Sequence, residues 1–465
     1  MSAPIIWILI PLLSGILILF FLQERFSAVA AGGIAMFLSL TALIFPIDTA
    51  LLLGPFSLKI SASIQILGRS FVFSTADGPL LALIYGIAAL WFFGTEASGT
   101  ANRFVSLGLM IVALLTASIA VEPFLFAALL IEMAAMLAIP LLVPIYQKPG
   151  RGVIRFIIYQ TLAMPFILFS GWMLAGVEAS PGDIGLTTQA GTMLGLGFAF
   201  LLAVFPLYNW IPMITEETSP YVAGFMLWAL PTFTAIFALG FLDRYTWLRT
   251  SPLLSSAVQV SGIIMVASGG IFSVTQKHLG RIMGYTAIAE TGLVILALAS
   301  RSSQIINITF LLLIPRGLEL AVWALGLSII KREAFSLQFT EVQGLARKYP
   351  LAVAAIVLSQ LSMAGFPLLA GFPPRLAALQ EIASQSLISS FWVYIGLLGL
   401  LLSALRTLAV FVMAKENAVW ELTESWTQAG MLGLGMIGLF ILGLIPQAMQ
   451  PFISKLPALF QHLGQ

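Results

Sequence analysis

The chain contains no cysteine and only two histidines, His278 and His462. Disulfides, thiolate zinc sites, iron–sulfur ligation and cysteine nucleophiles are thereby excluded, and little imidazole chemistry remains. Charge is nearly as scarce, at 9% of 465 residues, where soluble domains carry about 25%. Hydrophobic residues make up 60%, and mean hydropathy is +1.04. A chain with so little polar side-chain surface cannot be wrapped in water, so the solvent for most of it is lipid. It is expected to be an integral, multi-pass, all-α membrane protein, because helices of roughly 20 residues satisfy their own backbone inside a bilayer. The net charge of +2 is too small and dispersed for nucleic-acid binding. No GxGxxG fingerprint and no ligand set for a cofactor or metal is present, so neither is expected.

Apolar runs fall near 4–22, 27–45, 78–94, 103–120, 122–145, 152–176, 190–208, 219–241, 255–274, 281–300, 303–330, 351–371, 388–413 and 430–450. They predict about fourteen transmembrane helices in one polytopic domain over 1–465: N-terminal helices to 120, a core over 121–380, and C-terminal helices from 381. The first run lacks a basic start and a small-residue cleavage site, so it is taken as a span and not a removed signal. Breaks fall at polar turns, among them GTEASGTANR (94–103), YQKPGRG (146–152) and SPGD (180–183). The stretch 51–75 alternates like two short strands and is interrupted by Gly54, Pro55, Ser61 and Gly68. It predicts a β-hairpin lying on one membrane face. With the N-terminus placed outside, thirteen Lys and Arg, including Arg25, Arg103, Lys148, Arg281 and Lys415, fall on the cytoplasmic side. Six, including Arg69, Arg244 and Arg301, fall opposite. That is the asymmetry of the positive-inside rule, and it puts both termini and the hairpin on the non-cytoplasmic face.

Five ionisable residues sit where no headgroup is within reach: Glu132, Glu290, Arg316, Glu319 and Arg375. A charge at the bilayer centre costs between about 2.5 and 17 kcal/mol depending on the method, so such residues face the bundle interior and pair or titrate. Arg316 and Glu319 are three residues apart, on one helix face, and a local ion pair is expected, the alternative to function being a static salt bridge. Glu132 has no partner on its own helix, which suits a proton carrier; a protonated packing residue is the bland alternative. Glu290 and Arg375 lie within a few turns of predicted helix ends, where solvation is the competing reading. Prolines add a second pattern: Pro206, Pro231, Pro315 and Pro367 are expected at helix breaks, which survive in membranes where they are buried or line a wet cavity.

Taken in order, several segments resemble a known family. Asp77-Gly78, Glu122 and Glu132 ten apart, FPLYNWIP (205–212), EETSP (216–220), HLGRIMGYTAIAETG (278–292), GLARKYP (344–350), AGFPLLAGFPPR (364–375) and LGLIPQ (442–447) are similar to the antiporter-like membrane subunits of respiratory complex I, of the subunit 4 type most closely. They also resemble the corresponding subunits of related hydrogenase complexes and of the multisubunit sodium/proton antiporters. The resemblance implies two inverted five-helix repeats, each with one broken helix, around a hydrated charged axis. It implies that Glu132 lies at the interface with a neighbouring subunit and that Arg375 ends the proton path. It also exposes departures: Leu201 stands where the family has lysine, the stretch 227–233 lacks a second lysine, Pro315 and Glu319 replace a central His and Lys, and Tyr208 replaces a histidine.

Three functions follow from that resemblance. In the first, the chain is expected to be a proton-translocating membrane subunit of an NADH:quinone oxidoreductase-type complex, non-catalytic itself, with the redox chemistry in partner subunits. Alternatively it is a subunit of a cation (Na+)/proton antiporter. In the third reading it is a structural subunit on the same fold that conducts nothing. The implied partners are other membrane subunits, lipid, and protons or sodium, in an energy-converting membrane of the bacterial inner, plasma or thylakoid type.

Overall fold

A computed structural model describes residues 2–53, 56–101, 103–143, 148–179, 183–300, 304–413, 421–460 and 462–463. Several expectations fall outside them: Gly54 and Pro55 of the hairpin, Asn102, residues 146 and 147 of the turn at 146–152, residues 180–182 of the turn at 180–183, and the orientation charges Arg301 and Lys415.

Helices α1 (Ile10–Phe21, preceded by a π-helical turn Ile5–Leu9) and α2 (Glu24–Ile44) lead into strands β1 (Ala50–Leu53), β2 (Phe56–Lys59), β3 (Ser63–Ile66) and β4 (Arg69–Val72). The long helices α3 (Gly78–Ser98) and α4 (Arg103–Ala120) follow, then β5 (Val121–Glu122), α5 (Ala127–Leu142) and α6 (Arg151–Ala179). Next come α7 (Ile184–Leu201), α8 (Trp210–Glu217), α9 (Pro220–Arg244), the short α10 (Thr246–Thr250), α11 (Pro252–Thr275), α12 (Leu279–Ala299) and α13 (Ile305–Glu333). The chain closes with a single turn α14 (Phe339–Val342), then α15 (Pro350–Met363), α16 (Phe372–Gln385), α17 (Leu387–Val412), α18 (Trp426–Leu444) and the short α19 (Gln450–Ile453).

Every predicted apolar run lands on a helix. Among the described residues twelve helices are long and apolar enough to cross a membrane, and Ile5–Phe21 and α15 are shorter apolar ones. The expected hairpin is two: β1 pairs antiparallel with β2, and β3 with β4, whose other edge takes β5 to make a three-stranded sheet. The alternating pattern gave the strands but not the second turn, because Leu67 and Gly68 adopt the left-handed conformation that a tight hairpin needs. Arg69 lies over the Phe126 ring at 3.8 Å and anchors this sheet to the α5 end of the bundle.

Two helical crossings are interrupted, and their breaks share a pattern. Between α7 and α8 runs AVFPLYN (203–209); between α15 and α16 runs AGFPLLAG (364–371). Each break holds non-glycine residues at positive φ, Ala203 at 50° and Leu368 at 74°, and the second adds Gly365 at 81°. Such backbone is held only where surrounding packing over-determines it. Counting each broken pair as one crossing, α4, α5, α6, α7–α8, α9 and α11, α12, α13, α15–α16, α17 form two sets of five with the break in the fourth position of each. An odd number of crossings reverses direction, so the second set is inverted relative to the first.

Pro231 and Pro315 do not break their helices, contrary to expectation. They sit inside the continuous helices α9 and α13. Proline removes one intrahelical hydrogen bond, and in a long, fully packed helix the neighbours hold the axis together. Small residues set the closest approaches: a Cβ on Gly270 of α11 would strike the backbone of Gly396 on α17, so these two helices touch backbone to backbone.

Contacts divide the ends of the helices between two faces. The hairpin face carries the strands, Ser2 bridged to Ser61, and the C-terminal segment, whose His462 and Leu463 N–H groups donate to Asp243 at 2.7 and 3.0 Å. The opposite face carries the Arg281–Glu216 ion pair at 3.3 Å, Lys331 donating to the Thr218 carbonyl at 2.9 Å, and Lys348 with Glu333.

Candidate functional site

Four of the five singled-out charges meet in one place. Glu290 at the middle of α12, Arg316 and Glu319 on α13, and Arg375 on the first turn of α16 are 1%, 1%, 0% and 2% exposed. Arg375 bridges the two carboxylates: one nitrogen of its guanidinium binds Glu290 and lies 3.6 Å from Glu319 Oε2. Its other terminal nitrogen donates to the Gly371 carbonyl at 2.7 Å. Of the two readings for Glu290 and Arg375, burial and solvation near a helix end, the structure has the first: both are enclosed, because the half-helix α16 begins inside the protein and not at its surface.

The expected local Arg316–Glu319 pair does not form. Although three residues apart on α13, the side chains diverge. Glu319 Oε1 accepts from Ser362 Oγ of α15 at 2.6 Å, and Ser362 Oγ accepts from the Gly371 N–H at 3.0 Å. Arg316 Nη2 donates to the Leu227 carbonyl at 2.9 Å and to Thr291 Oγ1 at 3.0 Å. The first of these acceptors has a sequence cause. Leu227 lies four residues before Pro231, which has no N–H to give it, so Pro231 frees a carbonyl inside α9 and Arg316 takes it. Pro231 thus matters through the acceptor it releases and not through a bend.

The broken helix closes the site from the other side. Gly371 fits where a side chain cannot: a Cβ there would meet the Ser362 carbonyl and the Arg375 guanidinium, and would lie 2.6 Å from Glu319 Oε1. Pro367 lies in this break, between Met363 and Phe372, and Pro206 occupies the matching place in the first. Two cations and two anions lie together, with Arg375 joined to both carboxylates and Arg316 held by neutral acceptors, and removing Arg375 would leave buried carboxylates whose burial costs several kcal/mol. The network still leaves polar atoms over: Arg316 Nε and Nη1, Arg375 Nε and the side-chain amide of Gln360 have no protein hydrogen bond among the described residues. Buried donors of this kind are normally met by ordered water.

Glu132 stands apart. It is 9% exposed on α5, in a shallow lateral cleft with Met136, Phe156, Gln160 and Thr161. Gln160 donates to the carbonyl of Leu201 at 3.4 Å, so Leu201 borders the same region with an apolar side chain. At the first break, Tyr208 donates to Ser268 at 3.0 Å, and no charged side chain accompanies it among the described hydrogen bonds.

Ser362, Thr291 and Gly371 escaped the sequence reading. A signal was available: Ser359, Gln360 and Ser362 are polar residues packed into a 14-residue apolar helix, and all three are buried.

Comparison with known proteins gives a consistent result. Residues 178–403 match the family described as NADH:quinone oxidoreductase/Mrp antiporter, transmembrane. The chain is 26% identical over 432 residues to NADH-quinone oxidoreductase subunit 14 of Thermus thermophilus, covering 88% of this chain and 94% of that one. It spans 63%, 58% and 54% of the length of three further NADH- or NAD(P)H-quinone oxidoreductase subunits. Its fold matches a chain of the T. thermophilus respiratory complex I with a TM-score of 0.80 at 17% identity, covering 99% of this chain and 100% of that one. A chain of the Mrp complex from a Dietzia species matches with a TM-score of 0.81 at 14% identity, covering 100% and 99%.

Proposed function

We propose that this chain, whose residues 178–403 match the family described as NADH:quinone oxidoreductase/Mrp antiporter, transmembrane, is an antiporter-like, proton-translocating membrane subunit of a complex I-like assembly. The observation that carries the proposal is the buried Glu290–Arg375–Glu319 cluster closed around a helix break, with Arg316 beside it. A scaffold without transport would be cheaper to build with apolar residues at those four positions. In the mechanism, a proton arriving at Glu319 or Glu290 cancels the charge that Arg375 balances, and Arg375 shifts toward the remaining carboxylate. The break at 364–371 can follow this shift because Gly371 and Ser362 tie its backbone to the same groups. Unpartnered donors on Arg316 and Arg375 are the places where water would join the path.

The hairpin face is taken as non-cytoplasmic, since Arg103, Arg155, Arg281, Arg347 and Lys348 gather on the other side. Glu132, on the lateral surface, would face a neighbouring subunit, with the redox chemistry in partners. The second reading, a subunit of a cation/proton antiporter, draws on the equal likeness to the Mrp complex chain. Gentle purification of the tagged protein from its native membranes with mass spectrometry of what accompanies it separates the two. Recovery of iron–sulfur and nucleotide- or ferredoxin-binding subunits supports the first; recovery of small hydrophobic antiporter subunits alone overturns it.

A further inference from the structure

A second polar site lies two helical turns from the buried cluster, on the hairpin face. Between α12 and α16 opens a cleft lined by Gln259, Ala297, Ser300, Ala378, Glu381 and Gln385, among others. Ser300 Oγ donates to Glu381 Oε1 at 2.9 Å, and Gln385 Nε2 donates to the same oxygen at 2.9 Å and to Ser300 Oγ at 3.2 Å. Glu381 is half-buried, and Ser300 is the C-cap of α12. The cleft therefore sits where two helices, α12 and α16, both end. Helix C-termini present negative partial charge, which favours a cation or an arriving proton.

Helical spacing connects this cleft to the cluster. Glu290 and Ala297 are seven residues apart on α12, and Arg375, Ala378 and Ile382 are three and seven apart on α16, so each set shares one face of its helix. The two faces meet: Glu290 binds Arg375 at the inner end, and Ala297, Ala378 and Ile382 line the cleft at the outer end. Seven residues of helix rise by about 10 Å. At the outer end of that distance the seam opens into the cleft between two alanines, Leu296 and Ile382.

Resting on the proposed transport function, we propose that Glu381 is the carboxylate through which the Glu290–Arg375–Glu319 cluster exchanges protons with the hairpin face. Glu381 takes a proton from water there and becomes a neutral carboxyl. Water entering the α12–α16 seam carries the proton to the cluster and leaves Glu381 ionised, and the reverse sequence discharges it. Ser300 and Gln385 position the carboxylate at the mouth. Among the described residues the charged group near it is Arg375, two turns inward on α16, and no other charged side chain lines the cleft; Arg301, the next residue in sequence after Ser300, lies outside the described residues.

The test measures coupled proton movement by the whole complex in native membrane vesicles, with the pH varied separately on each side. Glu381→Gln keeps an acceptor for Ser300 but cannot titrate. It is expected to slow proton movement tenfold or more with normal assembly, and to abolish dependence on the pH of the hairpin side alone. A tie that only joins α12 to α16 predicts a wild-type rate and pH profile for this variant, and that result overturns the proposal. If Glu381→Gln fails to assemble, Glu381→Asp is read instead: a shifted pH midpoint on the hairpin side is expected, and an unmoved one overturns the proposal. Glu319→Gln run alongside separates the two levels. Loss in Glu319→Gln with a normal Glu381→Gln removes only this role, whereas normal rates in both remove the transport reading with it.

Discussion

The two broken crossings use one backbone device for different ends. Both carry the sequence FPL at the break and both place non-glycine residues at positive φ. At the second break the backbone closes on Arg375, Glu319 and Glu290. At the first, Leu201 is buried where a charge would be expected from the family, and Tyr208 makes a neutral hydrogen bond to Ser268. Geometry was kept in both repeats and charge in one. A broken helix is thus a way to bring backbone to a site, and what the site does depends on the side chains it meets.

That contrast can be broken most forcefully at Arg375. Arg375→Ala leaves Glu290 and Glu319 buried without their cation and should cost about 3–5 kcal/mol, seen as loss of assembled protein or a large fall in melting temperature. Tyr208→Phe, at the corresponding break, should cost about 1 kcal/mol. Equal losses would mean the first break holds charge-bearing structure too. Gly371→Ala comes next. It forces a methyl into the Glu319 carboxylate and the Ser362 carbonyl and should cost about 1–3 kcal/mol, whereas Gly195→Ala on α7, with open space around it, should be neutral in the same thermal assay.

A double-mutant cycle sharpens the assignment of partners. Glu290 and Arg375 should show a coupling energy of about 1–3 kcal/mol, and Arg316 and Glu319 distinctly less, because neither binds the other. The smallest effect is expected at the opposite face. Burial, reinforced by Lys331 and Arg281 and opposed by Glu216, holds the His278 imidazole below its usual pKa. A depressed pKa means that the unfolded chain takes up a proton the folded one resists, so stability is full above the ordinary value of about 6.5 and falls as pH drops below it. His278→Asn should flatten that decline by a few tenths of a kcal/mol.

Hydropathy made the fold legible because lipid leaves the backbone no alternative to helices of a set length. Every apolar run became a helix, and alternation exposed the strands. The site was legible as a list of charges out of place, and less so as a set of partners. Spacing suggested that Arg316 would pair with Glu319, yet each found a better partner across the bundle: a carbonyl freed by Pro231 and a serine at a helix break. Such partners depend on tertiary neighbours 43 and 89 residues distant, which no local period encodes. Pro231 and Pro315 read as breaks in the sequence for the same reason, since whether a proline bends a helix is decided by what packs against it.

The most direct measurement is the rate of coupled proton movement in native vesicles carrying Glu319→Gln, normalised to assembled complex. The account predicts a fall of tenfold or more, because an amide keeps its hydrogen bond to Ser362 but cannot alternate charge against Arg375. A wild-type rate in fully assembled complex would contradict it and leave the buried cluster a structural lock.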